Sequence, residues 1–343
     1  MHFVAWCASG VLLVSAAGWC AAPAEQPDLK EVLTWLPPDT ETVMGANGPF
    51  ALKDFDTAGN GPALDAPSAE ELKLGMQGLA VGLFSFENGG LRAFLSGANV
   101  ALLVEGSRRF RPPKDLGGTL FEGCTIAVMD GASAIDSDAF VHKAASAKRI
   151  EKIEGVNIAV FEETQEKDTW TTFVGFPRKN VILVATNADY LRTVLARMHA
   201  ASGPRALPET LPEWKYVNTT APVWGVRHYE RADSTLDPTS PFHGKDAANV
   251  PDRQAVGVAF WFDPSGGVAI VTYLSAIPNS RKIVEEFLGL TGPASASFPT
   301  SQVHVRQPAA GAIECAVPLS IPRALARVPI LGLMAMFGHA TYM

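Results

Sequence analysis

Short apolar runs of strand length, rich in Val and Ile and broken by Gly, Pro, Asn and Asp, constrain this chain more than any other feature. The clearest pair is Val256–Phe262 and Val268–Leu274, on either side of Asp263-Pro264-Ser265-Gly266-Gly267. Two β-rich runs joined by a short turn with two glycines read as an antiparallel hairpin. The same reasoning predicts strands at Glu41–Met44, Asn99–Glu105, Cys124–Met129, Val156–Glu162, Thr169–Phe176, Asn180–Thr186, Pro222–Tyr229, Gln302–Arg306 and Ala312–Val317. Helical periodicity covers Ala69–Phe84, Asp136–Ala147, Leu191–His199 and Asn279–Leu290. The first of these follows Ser68, with Glu71 three residues on, a capping-box spacing. The expected class is therefore α+β, with mostly antiparallel sheets flanked by helices.

The Pro-rich stretch Ser202–Pro212 reads as a linker. It divides an N-terminal half, residues 25–200, from a C-terminal half, residues 213–343. Each half holds a similar unit. Asn180–Thr186 leads to Asn187 and a helix with Leu191 and Leu195, while Val268–Leu274 leads to Asn279 and a helix with Ile283 and Phe287. Apolar residues four and eight positions after an Asn cap describe the core face of a capped helix. The pattern is open between an internal duplication, giving two hairpin-plus-helix halves, and the common look of any strand–helix junction.

Phe3–Ala22 contains no charged side chain and centres on Val11-Leu12-Leu13-Val14. This is the h-region of a signal peptide, and Ala22-Pro23-Ala24 meets the small-x-small rule for cleavage before Glu25. Residues 1–24 are thus expected to be a signal. The n-region has no Lys or Arg, only His2 and the amino terminus, which leaves the assigned start open. The uncharged run, about 20 residues, also suffices for an uncleaved anchor. Either way the remaining chain is exported, periplasmic or extracellular, and membrane association enters only through that segment. Cys20 follows Trp19 rather than a small residue, so a lipoprotein reading fails. Val328–Gly338 is apolar but, at about 11 residues, too short to cross a bilayer. Just after the signal, Trp35-Leu-Pro-Pro-Asp-Thr-Glu-Thr-Val43 resembles the mature N-terminus of some uncharacterised secreted bacterial proteins. The resemblance implies export and carries no activity.

The chain has 28 basic and 35 acidic residues, a net charge of −7, which argues against nucleic acid as a partner. Outside the signal only Cys124 and Cys315 remain, open between one disulfide and two buried small hydrophobes. No HExxH, GxSxG, phosphate-loop or dinucleotide fingerprint occurs, and no cofactor is implied. Asp54–Asp65 matches a calcium loop at positions one, three, six and twelve, but Ala58 stands at five, so no metal site is assigned. Arg108, Arg109 and Arg111, with Lys114, could grip a carboxylate or phosphate. They equally fit a charged strand end. Trp224–Arg231 places Arg227 and Tyr229 on one strand face, and His228 with Glu230 on the other. His228 could serve as a base oriented by Glu230. Residues 232–253 form a long loop that could cover such a site. Asn218-Thr219-Thr220 is a glycosylation acceptor in a eukaryotic secretory pathway. Two functions follow. The first is a non-catalytic, exported protein that binds a ligand or partner in the envelope. The second is a hydrolase-type enzyme with a cleft at Arg227 and His228 under the 232–253 loop.

Overall fold

The computed structural model describes residues 26–51, 99–110, 120–130, 149–165, 168–200, 203–228, 255–275 and 304–318, with Glu70, Lys73, Phe140 and Ala147 in addition. The elements are α1 (Leu29–Trp35), β1 (Thr42–Ala51), β2 (Asn99–Phe110), β3 (Leu120–Met129), β4 (Arg149–Ile153), β5 (Val156–Gln165), β6 (Asp168–Arg178) and β7 (Val181–Ala185). There follow α2 (Ala188–His199), a 3-10 helix (Pro212–Lys215), β8 (Val223–His228), β9 (Ala255–Asp263), β10 (Val268–Ser275), β11 (His304–Ala309) and β12 (Ala312–Pro318). All twelve strands lie in one sheet, in the order β11-β12-β10-β9-β8-β1-β2-β3-β7-β6-β5-β4, and every described ladder is antiparallel.

This corrects the expected α+β class: the protein is predominantly β, with two short α-helices among the described residues. Separate sheets do not form because β1 pairs on one side with β2 and on the other with β8, from Thr42 opposite Arg227 to Ala46 opposite Val223. The strands before and after the 203–222 segment are thereby merged into one surface. The matched hairpin-plus-helix units are corrected too. Each block opens with a three-strand meander, β1-β2-β3 or β8-β9-β10, and the third strand then pairs with the last strand of its block, β7 or β12. By sheet position β7 corresponds to β12, not to β10. Of the helix expected over Ala69–Phe84 only Glu70 and Lys73 are described, and of Asp136–Ala147 only Phe140 and Ala147; Asn279–Leu290 lies outside the described residues.

Both faces of the sheet are buried along its central strands. Every residue from Leu102 to Ser107 is inaccessible, as is all of β7. Double burial explains why the strands read as continuous apolar runs rather than alternating ones. One face packs against α1, α2 and the 203–222 segment, through Val43, Val104, Ile126, Leu183, Trp224 and Val226. Asn187 caps α2 as expected, its Oδ1 accepting from the Asp189 and Tyr190 amides at 2.8 and 2.9 Å, and Leu191 and Leu195 are fully buried. The β9–β10 hairpin also forms where expected. Asp263 Oδ1 closes its turn by accepting from Ser265 Oγ and from the Ser265 and Gly266 amides, at 2.5, 3.0 and 3.0 Å, while Gly267 takes φ +63°. The Ser265 hydroxyl, then the Gly266 amide, hold the Asp263 carboxyl below its usual range.

The 203–222 segment is no free tether. Ala206 and Leu207 are buried, the Ala206 amide donates to Leu33 O at 2.9 Å, and Asn47 Nδ2 donates to Thr219 O and Ala221 O at 2.8 and 2.7 Å. Beneath it Trp224 packs against Gly45, where a Cβ would come within 2.3 Å of the ring. Gly45→Ala should therefore lower the unfolding free energy by about 1–3 kcal/mol. The change should be read as a lower urea midpoint at unchanged m value.

Candidate functional site

Of the polar residues that the sequence singles out, Arg108 and His228 fall at one end of the helix-covered face. In the ladders Glu41, one residue ahead of β1, lies between His228 on β8 and Arg108 on β2: the Glu41 amide donates to Ser107 O at 3.0 Å and the His228 amide to Glu41 O at 2.9 Å. Glu122, directly across from Arg108 on β3, extends the row.

Arg108 is occupied by the protein's own carboxylates. Its Nε and Nη2 donate to Glu122 Oε2 at 3.1 and 3.0 Å, and Nη1 donates to Asp39. Glu122 Oε1 accepts from Asn187 Nδ2 at 2.8 Å, so the residue that caps α2 also belongs to this network. The guanidinium stands 5.4 Å from the centroid of the Tyr190 ring, whose hydroxyl bonds Thr40 Oγ1 at 2.8 Å. Burial opposes the charge of Arg108, but the bonds to Asp39 and Glu122 outweigh it and its pKa rises. Burial pushes the Tyr190 phenol well up, which keeps it neutral. The expected cation cluster is therefore corrected at Arg108, which ties β2 and β3 to the α2 cap and to the turn before β1. The Arg109 and Arg111 side chains, and Lys114, lie outside the described residues.

Arg227 and His228 do not share a cleft. Arg227 is 3 % exposed and lies opposite Thr42 and Val258, on the face away from His228. It belongs there to a buried polar seam that the sequence reading missed: Thr42 and Ser107 beside it in the ladders, then Glu105 and Thr125 one row on, all buried. Their signal in the sequence was an alternation of Glu105 and Ser107 with Val104 and Gly106, hidden within a strand covered on both faces.

His228 has an orienting carboxylate in Glu213, a residue the sequence reading did not single out. Its Nδ1 donates to Glu213 Oε1 at 2.7 Å. Glu213 sits in the 3-10 helix, 0 % exposed, while the His228 side chain keeps 30 % of its surface. The carboxylate occupies space left by Gly257 on β9, where a Cβ would come within 1.8 Å of Oε1. Glu213 Oε2 has no hydrogen-bond partner among the described residues. Trp214, the next residue, meets Trp224 at 6.2 Å between centroids and donates its Nε1–H to Leu207 O at 3.0 Å. Arg205 covers Trp214 at 4.5 Å and bonds Glu209 at 2.9 Å. Tyr229, Glu230, the 232–253 loop and the Asp54–Asp65 loop lie outside the described residues.

Cys124 and Cys315 take the second of their two alternatives. Both are buried, with no disulfide between them. Five strands separate β3 from β12, and the two side chains face opposite sides of the sheet, so no bridge can span them. Burial pushes the Cys124 thiol up, far from its reactive form. Among the described residues no three His, Cys, Asp or Glu side chains come together as metal ligands, and no helix is long and apolar enough to cross a membrane.

No protein-family model matches the chain, and neither does any curated protein. Among solved structures it is similar to three crystal forms of TP0453. Form III gives a TM-score of 0.43 at 10% identity, covering 87% of this chain and 97% of that one. Form I gives 0.42 at 10% identity, covering 86% and 95%, and form IV gives 0.42 at 11%, also covering 86% and 95%.

The Arg108 network makes a graded prediction. Glu122→Ala removes the partner of both Arg108 and Asn187 and should cost about 2 kcal/mol in urea denaturation. Arg149→Ala, which breaks only the exposed pairs with Glu151 and Glu162, should leave the midpoint nearly unchanged.

Proposed function

We propose that the chain is an exported, non-catalytic protein that binds a ligand or partner in the cell envelope. One observation carries the non-catalytic part. The two charged groups best suited to chemistry, Arg108 and His228, are each engaged by carboxylates of their own fold, Asp39 with Glu122 and Glu213 respectively. At Arg108 this pairing fixes segments of the fold; at His228 it is also how a general base is oriented, so the non-catalytic reading rests on Arg108 and on the burial of Arg227 away from His228. The hydrolytic alternative needed Arg227 and His228 in one cleft, and their placement on opposite faces of β8 removes its support. Export is supported by the uncharged run Phe3–Ala22 and the small-x-small site at Ala22-Pro23-Ala24.

The export half is tested by fractionating cells and reading the N-terminus of the recovered chain by mass spectrometry. A chain starting at Glu25 in the envelope or medium is expected. An intact Met1 in the cytosolic fraction would sink the reading. The non-catalytic half is tested with chromogenic esters, phosphate esters, glycosides and peptides. No turnover above buffer is expected, and a turnover abolished by His228→Gln would overturn it.

A further inference from the structure

We propose that the Glu213–His228 pair is a proton-linked latch, which holds the 203–222 segment on β8 and β9 while His228 is protonated and loosens it as that proton leaves. The segment is tied at three places. Near its start Arg197 donates to Pro204 O and the Ala206 amide donates to Leu33 O. Near its end Asn47 holds Thr219 O and Ala221 O. Those ties are made to backbone carbonyls and do not titrate near neutrality. The middle tie is the bond from His228 Nδ1 to Glu213 Oε1, and its donor is the one side-chain type whose ordinary titration, at about 6.5, falls between pH 5 and 8.

The surroundings make this tie unforgiving. Glu213 is wholly buried, its Oε2 has no hydrogen-bond partner among the described residues, and its carboxylate fills the space over Gly257. Weakening the bond to Oε1 leaves a desolvated carboxylate with poor support on both oxygens, a costly state that lifting the helix toward water relieves. Among the described residues Lys215, on the same 3-10 helix, is exposed. Arg227 occupies the opposite face of β8, and on the β1 side the Glu41 carbonyl accepts from the His228 backbone amide. On β9 and β10 the neighbours at this level are Gly257 and Leu274, with Tyr273 on the far face.

The direction of the effect follows from which form bonds better. An imidazolium makes a charge-assisted bond to the carboxylate and a neutral ring makes an ordinary one. The latch therefore contributes fully at pH below the free histidine range and progressively less as pH rises through the folded-state titration. Lifting the segment takes Trp214 off Trp224, so tryptophan emission reports it directly.

The experiment is to record tryptophan emission and thermal midpoint from pH 5.5 to 8.5 for the mature chain, His228→Gln and Glu213→Gln. In the parent chain emission should shift to the red and the midpoint fall with rising pH, with the unfolding constant changing by up to about tenfold per pH unit, the limit for one proton. His228→Gln keeps an N–H donor for Oε1 without a titrating group, so it should fold and show neither trend. Glu213→Gln should lower the midpoint at every pH and flatten its slope; if it fails to fold, His228→Gln alone decides. A flat parent profile, or the parent's transition persisting in His228→Gln, would overturn the latch. These outcomes are independent of whether the chain binds a ligand or is exported.

Discussion

The fold depends on the ladder between β1 and β8. β1 is bonded to its chain neighbour β2 on one side and to β8, far along the sequence, on the other. Without the five residue pairs of that second ladder the twelve strands would fall into two sheets with two additional open edges. Joining strands so far apart carries a loop-closure cost that backbone bonds alone do not offset. Trp224 supplies the compensation. It is fully buried, lies over Gly45 of β1, meets Trp214 of the overlying segment and stands across from Trp261 on β9. Area bookkeeping puts burial of such a side chain at about 4–6 kcal/mol, an upper figure because unfolded chains already bury some of it.

Where the apolar face ends, charge begins, and Arg108 and His228 are both paired there. Arg108 lies between Asp39 and Glu122, and Glu122 gives its second oxygen to Asn187. His228 answers Glu213. The two pairs differ in exposure. Arg108 keeps 28 % of its side-chain surface and Glu122 keeps 11 %, so water shares the load of that network. Glu213 keeps none, and one of its oxygens is unanswered among the described residues. Stability at the first pair is spread over several bonds, whereas at the second Glu213 receives a single hydrogen bond among the described residues, from the His228 ring.

Local signals in the sequence located what local physics decides. The Asn187 cap, the β9–β10 turn and most of the strand runs follow from side chains within a few residues of one another. β4 escaped because its two isoleucines, Ile150 and Ile153, are three apart, a helical spacing, and Ile150 is half exposed at the sheet edge. The single sheet escaped because β1 and β8 carry no mark of each other. Glu213 escaped for the same reason: it follows a Pro-rich stretch that reads as a linker, and its match to His228 exists only once β8 lies beneath that stretch. Glu230, two residues on in the sequence, was the local choice for an orienting carboxylate, and Glu213 is a non-local one.

That choice is bound up with the register of β8. Consecutive residues of a strand serve opposite faces, so Arg227 goes to the polar seam with Thr42 and Ser107 while His228 goes to Glu213. A slip of one residue would exchange them, placing a guanidinium under the 3-10 helix and moving Trp224 off Gly45. The neighbouring strands forbid it sterically. Gly45 accommodates Trp224, Gly225 accommodates Phe260 and Gly257 accommodates Glu213, and at each a Cβ would approach the occupant to within 2.4 Å. The three large groups fit only opposite three absent side chains, one on each of β1, β8 and β9. The packing that joins the two blocks of the sheet thus also fixes the register that brings Glu213 and His228 together.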